Sequence, residues 1–252
     1  MNSWGNLLIA TGGSLKPEKC FFYLISFSWN ANGKWKYVSN ETKENFELGV
    51  PIPDGSMVEI KHLSVHEAKE TLGVFTCPAG TAKAQLLSMT GKGQKWIDRA
   101  LESHLQRRDI WFLLDHQLWP RVGYGISSIS SPWKNIEDCL GKIWWQLLPM
   151  GGIIRSAPKK VRQMSSGFYG AGCPHVGAEC FVQQIDKLLT HYGCNSSLGL
   201  KMRTSVEMII TELGISAQPF QESFKKYGKW ITWSWMTSVW EKCDLFGVKV
   251  EL

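Results

Sequence analysis

The chain lacks several features that would classify it at once. No apolar run approaches the 18 or more residues of a membrane span; the most apolar stretch, residues 143–154, is short and holds Gln146, Pro149, Gly151 and Gly152. The first ten residues carry no Lys or Arg and only a brief apolar run, so no signal peptide is predicted. The seven cysteines are odd in number and irregularly spaced, which does not make a disulfide framework. Reduced thiols, an intracellular location in nucleus or cytoplasm, and no membrane partner are expected. Carboxylates in close pairs are also missing. The aspartates stand at Asp54, Asp98, Asp109, Asp115, Asp138, Asp186 and Asp244, none beside another and none after a Tyr-X pair. Two-metal catalysis needs carboxylates placed together, so the chain is predicted to carry no complete active site, no metal site and no cofactor of its own.

What is present suits a folded protein. Hydrophobic residues make up 44% of the 252 positions, an ordinary globular share. Thirteen tryptophans are many, and Trp serves both cores and base stacking. Trp29, Trp35 and the C-terminal tryptophans are expected in the core. The net charge of +6 is compatible with a polyanionic partner without requiring one.

The hydrophobic pattern changes period along the chain. Residues 1–11 read as the end of a helix without a visible beginning, stopped at Gly12-Gly13. Residues 20–29 and 34–38 read as strands joined by the turn at 30–33. Residues 39–55 read as loop, 58–63 as a strand, and 68–75 as a short strand ending before Cys77-Pro-Ala-Gly80. From about residue 82 the period becomes helical. Ala84, Leu87, Trp96, Ala100, Leu101 and Leu105 are read as the apolar stripe, with Lys83, Lys92, Lys95, Arg99, Arg107 and Arg108 mostly on other faces. Further helices are predicted over 109–119, 133–148, 177–192, 200–213, 218–227 and 233–243. The fold class is therefore α+β, a small antiparallel β-rich part followed by a mainly helical region. Four or so strands under one helix make a thin core, so the sheet is expected to extend into sequence outside this chain.

Several constellations fail as sites. Cys173, His175, Cys180, His191 and Cys194 lack the paired spacing of structural zinc sites. Gly167-Phe-Tyr-Gly-Ala-Gly172 has no Gly-Lys-Ser/Thr and is no Walker loop. His62, His66 and Glu67 lack a nucleophile elbow. Residues 127–131 read as loop.

Two motifs occur in a telling order. Gly12-Gly-Ser-Leu-Lys-Pro-Glu-Lys-Cys20 runs from a helix end into a strand, and Thr71-Leu-Gly-Val74 closes the β region before the helices. This order resembles the reverse transcriptases of retroelements, in which a lysine-bearing palm segment (motif D) precedes a Leu-Gly primer-grip hairpin and a helical thumb. The stretches Trp29-Asn-Ala-Asn-Gly-Lys-Trp-Lys-Tyr37 and Val65-His-Glu-Ala-Lys-Glu-Thr-Leu-Gly-Val74 are similar to reverse-transcriptase-like reading frames of diatoms and related algae. So are Gly172-Cys-Pro-His-Val176, Glu212-Leu-Gly-Ile215 and the segment at 235–240.

The resemblance implies a palm edge over 1–80, a thumb over 81–165 and a helical extension over 166–252. It implies that the catalytic carboxylates and fingers lie before residue 1, and any ribonuclease H-like domain after residue 252. Two magnesium ions belong only to the complete polymerase. Lys19 would stand near the departing pyrophosphate as general acid. Leu72, Gly73 and Val74 would form the primer grip. Lys83, Lys92, Lys95 and Arg99 would touch the backbone of an RNA/DNA primer–template duplex. The missing palm and fingers of the same polyprotein would be a further partner. The chain alone would be inactive. The alternative is a non-catalytic module, derived from such an element, that binds nucleic acid or protein.

Overall fold

The computed structural model describes residues 7, 10, 11, 13, 16–31, 35–38, 48–52 and 56–252. Most of the predicted helix over 1–11, half of the turn at 30–33, the Asp54-Gly55 turn and part of the segment 12–20 lie outside the described residues. The architecture is α+β. The chain divides into two compact units: residues 1–69 with 77–79, and residues 70–76 with 80–252.

The first unit is built of three-residue strands in pairs. β1 (Phe21–Tyr23) runs parallel to β6 (Lys61–Leu63), with Phe22 opposite His62. β2 (Phe27–Trp29) is antiparallel to β3 (Trp35–Tyr37), and β4 (Gly49–Pro51) to β5 (Met57–Glu59). The pattern merges some of these. Residues 20–29 read as one strand but break at 24–26, and 58–63 break at Ile60, whose N–H goes to the Leu48 carbonyl at 2.8 Å. β4 falls in a stretch read as loop; its pairing with β5 is what makes it a strand. Val50, Ile60, Leu63 and Val65 form the small buried centre. Tyr37 donates its hydroxyl to the Pro78 carbonyl and Tyr23 to that of Glu67, both at 2.9 Å. Trp29 departs from the expected core position: it is 68% exposed, and Trp35 is 40% exposed. Each strand is so short that no other described residue covers one face of the pair.

The second unit takes up the chain within a hairpin, β7 (Lys69–Thr71) and β8 (Val74–Thr76), from Glu70 onward, and continues as helices. α1 (Lys83–Glu102) is followed by α2 (Arg107–Leu113), a π-helical turn over Leu114–Leu118 and α3 (Trp119–Gly123). Then come α4 (Trp133–Cys139), α5 (Gly141–Met150), α6 (Lys159–Gln163), α7 (Val176–Tyr192) and α8 (Ser197–Leu213). The short α9 (Phe224–Tyr227) and α10 (Trp235–Phe246) complete the series.

These helices enclose two hydrophobic cores. Residues of α1 to α5 surround the first, which α7 enters through Val176 and Cys180. The second gathers Phe181 and Leu188 of α7, Met202, Val206 and Ile209 of α8, and Met236, Val239 and Trp240 of α10. Helix α7 thus serves both, turning successive side chains to either side.

The segment over 126–131 lies between them and carries little regular structure beyond a single 3-10 turn. Its carbonyls are taken by side chains instead. Cys180 Sγ reaches the Ile126 carbonyl at 3.3 Å, Trp235 Nε1 that of Ser127 at 2.7 Å, and Gln184 Nε2 that of Ile129 at 2.9 Å. Trp233 Nε1 donates to Ser130 at 3.1 Å, and Ser238 Oγ to Ser131 at 3.1 Å. The serines read as loop therefore matter through their backbone.

Lys242 is wholly buried at this seam. Its Nζ donates to the Ser238 carbonyl at 3.0 Å and lies 3.5 Å from that of Ser131. Burial depresses its pKa below the ordinary lysine value. Between that depressed value and about 10.4 the unfolded chain holds the proton and the folded chain does not, so stability rises with pH across that window. Lys242→Met is expected to abolish the rise and to make the protein more stable than the parent at pH 7. Ser238 Oγ still satisfies the Ser131 carbonyl in the variant. Urea denaturation of both proteins from pH 7 to pH 10.5 measures the difference; a parallel pH dependence would disprove the assignment.

Candidate nucleic-acid interface

The hairpin of β7 and β8 turns through Leu72 and Gly73, with φ of 51° and 81°. A two-residue hairpin with both central residues at positive φ is the tight turn that matches strand twist. Gly73 adopts it freely, whereas Leu72 does so at a cost of about 1 kcal/mol. Leu72 is 87% exposed, so its apolar side chain gains nothing to offset that cost. What holds the tip is Tyr124, whose hydroxyl donates to the Leu72 carbonyl at 2.8 Å. Its ring lies against Gly73, where a Cβ would come within 3.0 Å of it. Gly125 likewise leaves room for Val74, which a Cβ there would meet at 2.6 Å. Behind them the buried Gln85 accepts from the Phe75 N–H at 2.9 Å and reaches the Tyr124 carbonyl at 3.5 Å.

Helix α1 buries Gln85, Met89, Gly93, Trp96, Ile97 and Ala100. Spacings of three and four make this one face. The sequence reading set this face out of phase, because Gln85 and Gly93 are not apolar, while Leu87 and Leu101 are exposed. Lys92, Lys95 and Arg99 follow one another at three and four residues and so share one side of the helix. Lys83 lies nine residues before Lys92, half a revolution round the axis.

After α2 the chain winds more loosely. Pro120 has no N–H to offer the His116 carbonyl. The ladder shifts to five-residue spacing, with the Trp119 N–H on the Leu114 carbonyl. The helix predicted to stop at 119 continues through this turn to Gly123. The shift brings His116, Gln117, Arg121 and Tyr124 opposite the Lys92 and Arg99 side of α1. Between the two walls is a cleft of about 810 Å³, with Trp96 among the residues lining it. Three cations and a histidine line it, and no carboxylate does. None of Lys92, Arg99 and Arg121 is ion-paired with a described residue. Low-dielectric walls around unpaired positive charge focus a field that attracts anions.

The sequence-derived site residues are distributed as follows. Lys92 and Arg99 line the cleft, and Lys95 is exposed on the turn between them. Leu72, Gly73 and Val74 form the hairpin tip tied to Tyr124, itself a lining residue. Lys83 stands on the far side of α1. Lys19 ends a 3-10 turn (Pro17–Lys19) in the first unit, where it is exposed. His116, Arg121 and Tyr124 were not singled out by the sequence. The signal for Arg121 and Tyr124 was Pro120 and Gly125 bracketing a charged and aromatic segment; His116 lies outside that bracket.

Among the described residues no group of three or more His, Cys, Asp and Glu is placed to hold a metal ion. Cys173 and Cys180 are buried, and burial pushes both thiols up to about 11, far from the thiolate that binds metals. His175 instead caps α7. Its Nδ1 lies 3.2 Å from the Ala178 N–H and 3.0 Å from Glu137 Oε1, and can satisfy only one of them at a time. Glu137 also pairs with Lys159. Burial works to raise the Glu137 carboxyl, but the bonds from His175 and Lys159 outweigh it and hold the pKa at about 2. The knot joins α4, α6 and α7 and has the features of a structural clasp. Comparison with protein-family models, with curated proteins and with solved structures finds no match.

Proposed function

We propose that the second unit holds a primer–template duplex by its phosphate backbone, as the primer-grip and thumb part of a retroelement reverse transcriptase. The observation that carries this reading is the fastening of the hairpin tip, through Tyr124, to the rim of an unpaired basic cleft. Lys92 to Arg99 spans about 10 Å of helix axis, the rise of about three nucleotides on one strand. The three cations that line the cleft, Lys92, Arg99 and Arg121, neutralise phosphates without reading bases. The exposed hairpin tip brings backbone close to the same strand, where a side chain at Gly73 would keep it away. Polymerisation itself is assigned to carboxylates and two magnesium ions held elsewhere in a complete polymerase, with Lys19 supplying a proton to the departing pyrophosphate.

The test is fluorescence anisotropy with labelled RNA–DNA hybrids of several sequences. Binding is expected to be sequence-independent, with log K falling against log salt at a slope of about −3 for three phosphate contacts. No binding at 50 mM salt, or binding indifferent to salt, would defeat the reading. Primer extension with magnesium runs alongside; incorporation of nucleotides by this chain alone would overturn the assignment of chemistry elsewhere.

A further inference from the structure

A second basic and aromatic surface lies in the second unit, outside the cleft. Residues 224–233 read Phe-Lys-Lys-Tyr-Gly-Lys-Trp-Ile-Thr-Trp, three lysines with no acidic residue among them. The segment folds as α9 and a 3-10 turn (Gly228–Trp230). It is firmly seated on α10. The Phe224 ring meets the Trp240 ring edge-on at 5.4 Å, and Tyr227 stacks over it at 6.3 Å. The Asp244 carboxylate accepts from Ser223 Oγ at 3.3 Å and from the Lys225 N–H at 3.2 Å. Glu212 accepts from the Thr232 N–H and hydroxyl at 3.0 and 2.8 Å.

Those carboxylates fix the backbone and leave the ammonium groups alone. Lys225, Lys226 and Lys229 are exposed and make no ion pair with a described residue. Glu222, just before the segment, also acts electrostatically on Lys226. Lys226 lies over the Tyr227 ring at 4.6 Å and Lys229 over the Trp230 ring at 4.8 Å. Trp230 is 67% exposed, although the C-terminal tryptophans were expected in the core.

We propose that this surface binds single-stranded nucleic acid, with Lys225, Lys226 and Lys229 on phosphates and Trp230 stacked on a base. The charge selects a polyanion, and the protruding ring selects one with accessible π faces. A duplex offers those faces only at its ends, so the ring contributes only where bases are unpaired. An anionic lipid surface would use the lysines equally, but it favours several apolar side chains inserting together. Here Phe224 and Tyr227 are engaged with Trp240, Trp233 is tied to the Ser130 carbonyl, and a lysine ammonium sits over Trp230, the ring that protrudes furthest. The inference does not depend on the cleft: the cleft takes a duplex, this surface an unpaired strand.

Anisotropy with a labelled oligo-dT 12-mer tests it, on the full chain and on Trp230→Ala and K225Q/K226Q/K229Q. Trp230→Ala is expected to weaken oligo-dT binding about tenfold with the salt slope unchanged, and to leave hybrid-duplex binding intact. The triple variant is expected to reduce the salt slope by about 2. Circular dichroism verifies that both variants fold. Equal oligo-dT affinity of Trp230→Ala and the parent overturns the proposal. So does binding to phosphatidylserine vesicles in place of the oligonucleotide. Loss of duplex binding in the parent with Trp230-dependent oligo-dT binding retained would refute the cleft reading alone.

Discussion

Exchanging Lys92, Arg99 and Arg121 together for glutamine is expected to lower affinity for a hybrid duplex about a hundredfold at 0.15 M salt. The estimate follows from counterion release. Three neutralised phosphates correspond to a slope of about −2.7, so removing them flattens the salt dependence nearly to zero. At 0.15 M that slope is worth about 3 kcal/mol, or roughly two decades in affinity. All three side chains line one cleft and none supports the core through an ion pair with a described residue. The fold should therefore survive the exchange. Lys83→Gln is the matched control: it removes a cation from the same helix on the far side of the axis, and is expected to change affinity less than twofold. Titration at four salt concentrations distinguishes the outcomes. A triple variant that binds as the parent does, or a Lys83 variant that loses as much, would mean that the cleft is not where the duplex lies.

Trp240→Ala is expected to cost the second unit about 3–5 kcal/mol. The indole is fully buried in the second core, and its Nε1 donates to the Glu222 carbonyl at 2.9 Å. Truncation leaves a cavity that Phe224 and Tyr227 border, and a carbonyl that has lost its donor. For a unit of this size the midpoint of thermal unfolding should fall by roughly 10 °C. The contrast is with Trp230→Ala, ten residues earlier, where the exposed ring can be removed for less than about 0.5 kcal/mol. Calorimetry on the two variants tests the assignment of one tryptophan to packing and the other to the surface. Similar losses in both would erase that distinction.

The sequence exposes helices whose signals are local. α7 and α8 lie within a few residues of their predicted bounds. Ser196 caps α8 by accepting from the Gly199 N–H, and Gly214 ends it in the left-handed region. Where tertiary contacts decide, the sequence misleads. Residues 133–148 carry one unbroken helical pattern, yet the chain breaks at Leu140. The Cys139 carbonyl there is taken by Thr90 Oγ1 of α1 at 2.8 Å, a partner 49 residues away. The helix predicted over 218–227 breaks at Glu222 and Ser223, where Asp244 of α10 accepts from Ser223 Oγ and from the Lys225 N–H. In the candidate site, Lys92 and Arg99 were legible because helical spacing aligns them. His116, Arg121 and Tyr124 were not, since a five-residue turn displaces them from the faces that a 3.6-residue period assigns.

The carbonyls over 126–131 impose an order on assembly. Their donors on α7 come about 55 residues later, and those at Trp233, Trp235 and Ser238 more than 100 residues later. Contacts so distant along the chain close slowly, because their loops must be ordered first. During synthesis the first core can gather around α1 to α5 while this strip of backbone stays hydrated. Only when α10 has cleared the ribosome can the strip exchange water for tryptophan and serine donors. Pairing of this strip is then completed by α10, and a ribosome stalled before it would hold a nascent chain in which the two cores meet through α7 alone.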